Sequence, residues 1–206
     1  MEWFSSDTHF GHLNIIRLCN RPFKDLDEMH RVLKQNWNEK VAPEDTVYFL
    51  GDFCLGQASL SRKILQQLHG KKILIMGNHD KESKIPKECF ESICTRMTYT
   101  LGDQDLILCH YPYRHTPEEE QDALQKGYKV KFYERRPVDE GGWLIHGHVH
   151  EKWKVKRKMI NVSVEVWDYS PISVEELKKI ITSETEVDPT ILDNSNVYIP
   201  DGGDNL

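Results

Sequence analysis

No stretch of this sequence approaches the roughly 18 consecutive apolar residues that a membrane-spanning helix needs, so no membrane partner is expected. Nor do its five cysteines, Cys19, Cys54, Cys89, Cys94 and Cys109, contain a CxxC pair. An odd number without paired spacing argues against a disulfide framework and for reduced thiols in a cytoplasmic setting. Met1 to Asp7 has neither a basic start nor a long apolar core, so no secretory signal is expected. A basic stripe is missing too. Ser183 to Leu206 holds six acids and no Lys or Arg, which leaves 27 acids against 27 bases before it. The net charge of −6 therefore belongs to the tail, and nothing demands a nucleic-acid partner or excludes one.

What is present suits a globular α/β protein. A hydrophobic content of 38% in 206 residues is enough for one sizeable core. The division expected is a domain over 1–182 and an acidic tail over 183–206. Glu2 to Ser6 reads as a first strand, with a short helix from Leu13 to Cys19. Met29, Val32, Leu33 and Trp37 recur at helical spacing between Asp27 and Lys40. Val47 to Leu50 and Ile73 to Met76 are short, wholly apolar runs of the kind buried on both faces of a parallel sheet. Between them Ser59 or Ser61 is expected to cap a helix carrying Ile64, Leu65 and Leu68, stopped by Gly70. This order, β-α-β-α-β, implies a parallel sheet covered by helices.

The second half reads as hairpins. Ile93 to Leu101 and Asp105 to Cys109 are expected to pair about a turn at Gly102-Asp103. Pro117 to Pro137 is a polar excursion, a candidate lid, with a helical stretch from Glu118 to Lys126. Trp143 to Ile145 and Met159 to Val164 are further strands, and Ser173 with Glu176 forms a capping box for a last helix.

The ends of these strands carry the chemistry. Asp7 and His9, Asp52, Asn78 with His79 and Asp80, His110, and His148 with His150 each follow an apolar run. A single histidine after a strand is ordinarily a surface or packing residue. Five such endings in one chain point instead to a shared site at the carboxyl ends of a sheet. Oxygen and imidazole donors without cysteine, too many for one tetrahedral ion, suggest two metals with one carboxylate between them. Such pairs suit phosphoryl chemistry.

Asp7-Thr8-His9, Gly51-Asp52, Gly77-Asn78-His79-Asp80, His110 and Gly147-His148-Val149-His150 resemble, in order, the full motif set of the calcineurin-like metallophosphoesterases. The likeness covers about 1–182, and Asp7 to His12 with Asn20 to Phe23 is similar to small stand-alone bacterial and phage members. It implies a four-layer α-β-β-α sandwich of two mixed sheets flanked by helices. It also implies two divalent metals, manganese being favoured over iron, zinc, cobalt or nickel. One would sit on Asp7, His9, Asp52 and His150, the other on Asp52, Asn78, His110 and His148. The activity implied is hydrolysis of a phosphoester, small molecule or nucleotide, by a metal-bridging hydroxide, with diesters slightly favoured over monoesters. His79 would assist the leaving group and Asp80 orient its ring.

Candidate substrate contacts are His12, Arg21, Arg135 and Arg136, with His115 beside them, because guanidinium forks suit phosphate oxygens. His146 is expected to pack or to support a ligand, and His30 and His69 to lie on the surface. Cys54 and Cys109 flank ligand positions as packing residues. The rival readings are a metal-stabilised interaction module without turnover and a nuclease of the same fold.

Overall fold

The computed structural model describes residues 1–127 and 131–186. Two five-stranded mixed sheets lie face to face with helices flanking them, an α/β architecture. The first sheet has the order β10-β1-β2-β3-β4. Its members are β1 (Glu2–Ser5), β2 (Thr46–Phe49), β3 (Lys71–Ile75), β4 (Ser92–Cys94) and the short β10 (Ile172–Ser173). β1 to β4 run parallel, and β10 is antiparallel to β1. The second sheet has the order β5-β6-β7-β9-β8. It comprises β5 (Arg96–Leu101), β6 (Gln104–Cys109), β7 (Trp143–His146), β8 (Val155–Lys156) and β9 (Met159–Asn161).

Side chains on successive strand positions point to opposite faces, and the two faces of the first sheet serve two cores. Trp3, Val47, Phe49 and Leu74 face outward, onto Met29, Leu33 and Trp37 of α2 (Leu26–Lys40) and Ile64 and Leu65 of α3 (Ala58–Leu65). Phe4, Tyr48, Leu50 and Ile75 face inward, onto Leu106, Leu108, Ile145 and Ile160 of the second sheet. Leu177 and Ile181 of α5 (Val174–Glu186) close that inner core. Leu144, Met159 and Cys109 pack with Tyr111 and Tyr113 in a third cluster.

The expected β-α-β-α-β order is present, with α1 at Leu13–Leu18 preceding α2. The hairpin about Gly102-Asp103 is present as well, Leu101 pairing with Gln104. Three local expectations needed correction. The run from Ile93 to Leu101 is two strands: β4 belongs to the first sheet, and the chain crosses to the second at Thr95. Apolar periodicity cannot say to which sheet a strand belongs, so the crossing was invisible. Neither Ser59 nor Ser61 caps α3; Gln57 stands at the cap and makes no side-chain cap bond. β9 ends at Asn161, before the expected Val164, because Asn161 turns its amide to the backbone. Its Nδ2 donates to the carbonyls of His150 and Trp153, and its Oδ1 accepts from Ser163.

The capping box at Ser173 and Glu176 is formed, with bonds of 2.9 and 3.2 Å. The excursion contains α4 (Pro117–Gln125), opened by a second box between Thr116 and Glu119. Glu119 also holds Lys156 and Arg157, which fastens α4 to the β8–β9 turn. α5 continues through Glu186; the readings for the rest of the tail lie outside the described residues. No helix among the described residues is long and apolar enough to cross a membrane.

Candidate metal centre

Five strand ends deliver the polar residues to one place. β1 leads to Asp7 and His9, β2 to Asp52, β3 to Asn78 and His79, β6 to His110, and β7 to His148 and His150. The approach is close. A Cβ on Gly77 would collide with the Asp52 carboxylate, and one on Gly147 with Ser6 Oγ and Asp7 Oδ2. The backbone is also strained. Asp7, His9, Asp52, His148 and His150 all have left-handed φ, between 50° and 72°. Each such residue costs about 1–3 kcal/mol and persists where surrounding structure over-determines it.

The first lobe gathers Asp7, His9, Asp52 and His150. His9 Nε2 lies 3.8 Å from Asp7 Oδ1 and 3.6 Å from Asp52 Oδ2, and His150 Nε2 lies 3.8 Å from Asp7 Oδ1. In the second lobe His110 Nε2 is 3.5 Å from Asp52 Oδ2. Asn78 Oδ1 lies 3.1 Å from both His110 Nε2 and His148 Nδ1. Asp52 Oδ2 faces both lobes. His110 Nδ1 is 2.7 Å from the Leu50 carbonyl, which assigns its proton there and leaves Nε2 with a lone pair toward Asp52.

The test of whether these residues suit divalent cations is what they leave unsatisfied. Asp7 Oδ1, His9 Nε2 and His148 Nε2 are buried without a hydrogen-bond partner. Native interiors rarely tolerate one such atom. Asp7 Oδ1 and His9 Nε2, 3.8 Å apart, are good O and N donors at one focus and fit a cation that completes their coordination. Asp7, His9 and His150 offer donor atoms within 4.8 Å of one another, as do Asp7, Asp52 and His110.

The electrostatics without cations agree. Burial pushes the Asp52 carboxyl up to about 6, with Asp7 and Asp80 adding to the rise and His110 opposing it. Burial would also raise Asp7, but His150, His9 and His110 outweigh it and hold Asp7 well below the carboxylate range. Desolvation lowers His9 to about 3 and His148 well below its usual value, so both are neutral, as ligands must be. His150 differs: burial disfavours its charge, but Glu165 and Asp7 overcome that and raise it well above its ordinary value.

The remaining expected residues divide. His79 is at the rim; its backbone N–H donates to Asp52 Oδ1 at 2.8 Å and its Nε2 is 4.0 Å from Asp52 Oδ2. Asp80 has a use that sequence reading did not foresee. Its Oδ2 accepts the N–H groups of Asp52 and Gly77, and its Oδ1 that of Phe53, so it clamps the Asp52 loop to the end of β3. His12 is buried with Nδ1 3.4 Å from His9 Nδ1. Arg135 is exposed and donates to Tyr111 Oη at 3.2 Å, and the ring of Phe132 beside it packs 5.8 Å from His148.

Two arginines among the candidate substrate contacts are buried. Arg21 is buried, and its guanidinium is consumed by Glu165 and the carbonyls of Asp7 and Thr8, leaving no face for a substrate. Arg136, with 1% exposure, is withdrawn from solvent. Both were read as candidate phosphate contacts because sequence does not record burial. His30 is likewise no free surface residue: its Nε2 accepts from the Gly11 N–H at 2.8 Å, bracing the loop after His9.

Ser6, Asn161, Ser163 and Glu165 were missed. Ser6 and Ser163 both donate to Asp7 Oδ2, at 2.5 and 2.8 Å. Glu165 accepts from His150 Nδ1 at 2.8 Å. The available signal was the alternation of polar residues at 161, 163 and 165 with Val162, Val164 and Val166.

Comparison with known proteins bears on the same residues. The sequence signature of the calcineurin-like phosphoesterase superfamily domain matches residues 3–167. An uncharacterized protein of Methanocaldococcus jannaschii is 36% identical over 185 residues, 85% of this chain and 88% of that one. The gene 66 protein of Mycobacterium phage L5 is 29% identical over 191 residues, 80% of this chain and 86% of its own. The crystal structure of an Aquifex aeolicus protein of unknown function matches with a TM-score of 0.64 and 36% identity, covering 87% of this chain and 98% of that one.

Proposed function

The chain belongs to the calcineurin-like phosphoesterase superfamily, and from that premise we propose a two-metal phosphoesterase that hydrolyses the P–O bond of a small-molecule or nucleotide phosphoester. The observation that supports it most is the gathering of seven donor residues, Asp52 among them and 3.5–3.6 Å from His110 and His9, with buried donor atoms left unsatisfied beside it. Asp7, His9, Asp52 and His150 would hold one cation, and Asp52, Asn78, His110 and His148 the other. When bound, two divalent cations supply Lewis acidity, lowering the pKa of a water and neutralising charge on phosphoryl oxygens. Manganese is the cation we favour.

The protein's own part is orientation and proton delivery. Asp80 sets Asp52 by holding three backbone amides. His79, partly exposed at the rim, is placed to meet substrate and to give its ring proton to the departing oxygen. Help of that kind matters most for an alkoxide, a poor leaving group, and for that reason we favour phosphodiesters over monoesters. Arg135, exposed beside Tyr111, is the remaining candidate cationic contact for substrate.

The deciding experiment is metal analysis of the purified protein alongside a panel of mono-, di- and cyclic phosphoesters. Two metals per chain and turnover are expected. Asp52→Asn should lower metal-dependent turnover by at least about two orders of magnitude; full retention would sink the proposal. His79→Ala should keep both metals yet slow unactivated substrates by about 10²–10⁴-fold. Equal slowing of activated esters removes the leaving-group role. Metal binding without turnover on any ester would favour the interaction module.

A further inference from the structure

A metal-binding imidazole must be held with one nitrogen lone pair aimed at the cation, and the hydrogen bond made by its other nitrogen sets that aim. His150 has such a bond. Its Nδ1 lies 2.8 Å from Glu165 Oε1, which turns Nε2 toward Asp7 Oδ1. Glu165 is itself fixed. Arg21 donates to the same oxygen through Nε at 3.0 Å and Nη2 at 2.6 Å. The guanidinium then reaches past the carboxylate to the other ligand-bearing segment, with Nη2 2.7 Å from the Asp7 carbonyl and Nη1 2.9 Å from that of Thr8. Both side chains are nearly inaccessible, 0% and 2% exposed. A charged pair so deeply buried is seldom a gain in stability over packed apolar residues, so its presence asks for another reason.

We infer that Glu165 and Arg21 are positioning residues: Glu165 fixes the ring of His150, and Arg21 locks Glu165 to the Asp7–Thr8 backbone. The two ligand segments, one from each sheet, are thereby held in one geometry. The strut joins four distant parts of the chain: the turn after α1, the segment after β1, the segment after β7, and the helical turn that follows β9. Arg21 suits the task because its planar fork spreads its donors over two carbonyls and a carboxylate, whereas the three N–H groups of a lysine ammonium all radiate from one nitrogen. The inference rests on the reading of Asp7 and His150 as metal ligands.

The test separates acceptor from charge. Glu165→Gln keeps an oxygen for His150 Nδ1–H, whereas Glu165→Leu removes it at similar volume. Mn²⁺ binding is followed by the electron paramagnetic resonance of free ion, with the melting temperature of the metal-free protein as control. Glu165→Leu should weaken one of the two Mn²⁺ sites by about 10- to 100-fold, leave the other close to wild type, and fold without metal. Glu165→Gln should restore most of the lost affinity. Arg21→Lys should weaken the same site, and it carries the test if Glu165→Leu does not fold. Wild-type affinity in Glu165→Leu, or in Arg21→Lys where that variant stands in, overturns the inference, as does an equal loss in Glu165→Gln and Glu165→Leu. If the wild-type protein binds no Mn²⁺, the reading of the site fails instead.

Discussion

A carboxylate has two oxygens, and at Asp7 they have separate duties. Oδ2 takes bonds from Ser6 Oγ, Ser163 Oγ and the His148 N–H, while Oδ1 takes none and faces His9 and His150. Three donors on one oxygen fix the direction of the other. Asp52 is treated differently, because burial and two carboxylate neighbours lift it to about 6. The sign of the consequence follows from linkage. An aspartate near 3.9 when unfolded and near 6 when folded holds an extra proton in the folded state between those values. Its contribution to stability therefore falls as pH rises from about 4 through about 6, and the penalty is complete above that. Asp52→Asn removes it. In chelator, Asp52→Asn should melt higher than wild type at pH 8, with the gap closing toward pH 4, although the same variant loses metal-dependent turnover. Thermal melts across that range check this; a gap independent of pH would contradict the assigned cause.

At the scale of elements, the site is built from loops that the strands hold at short range. Five of its residues occupy left-handed backbone, and glycines stand where neighbouring loops touch. Gly147 is the sharpest case, because the space for its Cβ is already filled by Ser6 Oγ and Asp7 Oδ2. Gly147→Ala should cost about 1–3 kcal/mol by overpacking and weaken metal binding by displacing Asp7. Urea titration and Mn²⁺ isotherms on the one variant check both; an unchanged isotherm would show that the loops can yield without loss. The excursion after His110 belongs to this scale too. It is pinned through Glu119 to the β8–β9 turn, and Phe132 packs near His148, so it borders the site from the side of the second sheet.

For the whole molecule, the proposed metal binding would be linked to folding because the candidate ligands come from both sheets. Nothing in an unfolded chain would bring Asp7, Asp52, His110 and His150 together, so cations that bind the native site stabilise the entire fold. At a free concentration 100 times its Kd, one cation adds about 2.7 kcal/mol. In a domain of this size that corresponds to about 5–10 °C in melting temperature. Mn²⁺ should produce such a rise, EDTA should reverse it, and Asp52→Asn should show little of it. A calorimetric scan with no Mn²⁺ response in the wild type would remove the link.

The sequence by itself determined the order of the strands in the first half, the helix capped by Ser173, and the donors at the strand ends. Each of these is written locally, as an apolar run, a cap residue, or a polar cluster after a buried strand. Gly77-Asn78-His79-Asp80 could be marked as part of a site because three polar side chains there had no packing role. Only the tertiary structure decided which charges are buried and what they hold. Arg21 and Arg136 read as candidate phosphate contacts, and Glu165 drew no notice 144 residues from the arginine it pairs with. Asp80 read as a support for its neighbour His79, and the reach of its oxygens back to the Asp52 loop was not visible. Periodicity and motif spacing report what a residue is and which face it takes. Which distant backbone amide or carboxylate lies against it is settled when the two sheets pack.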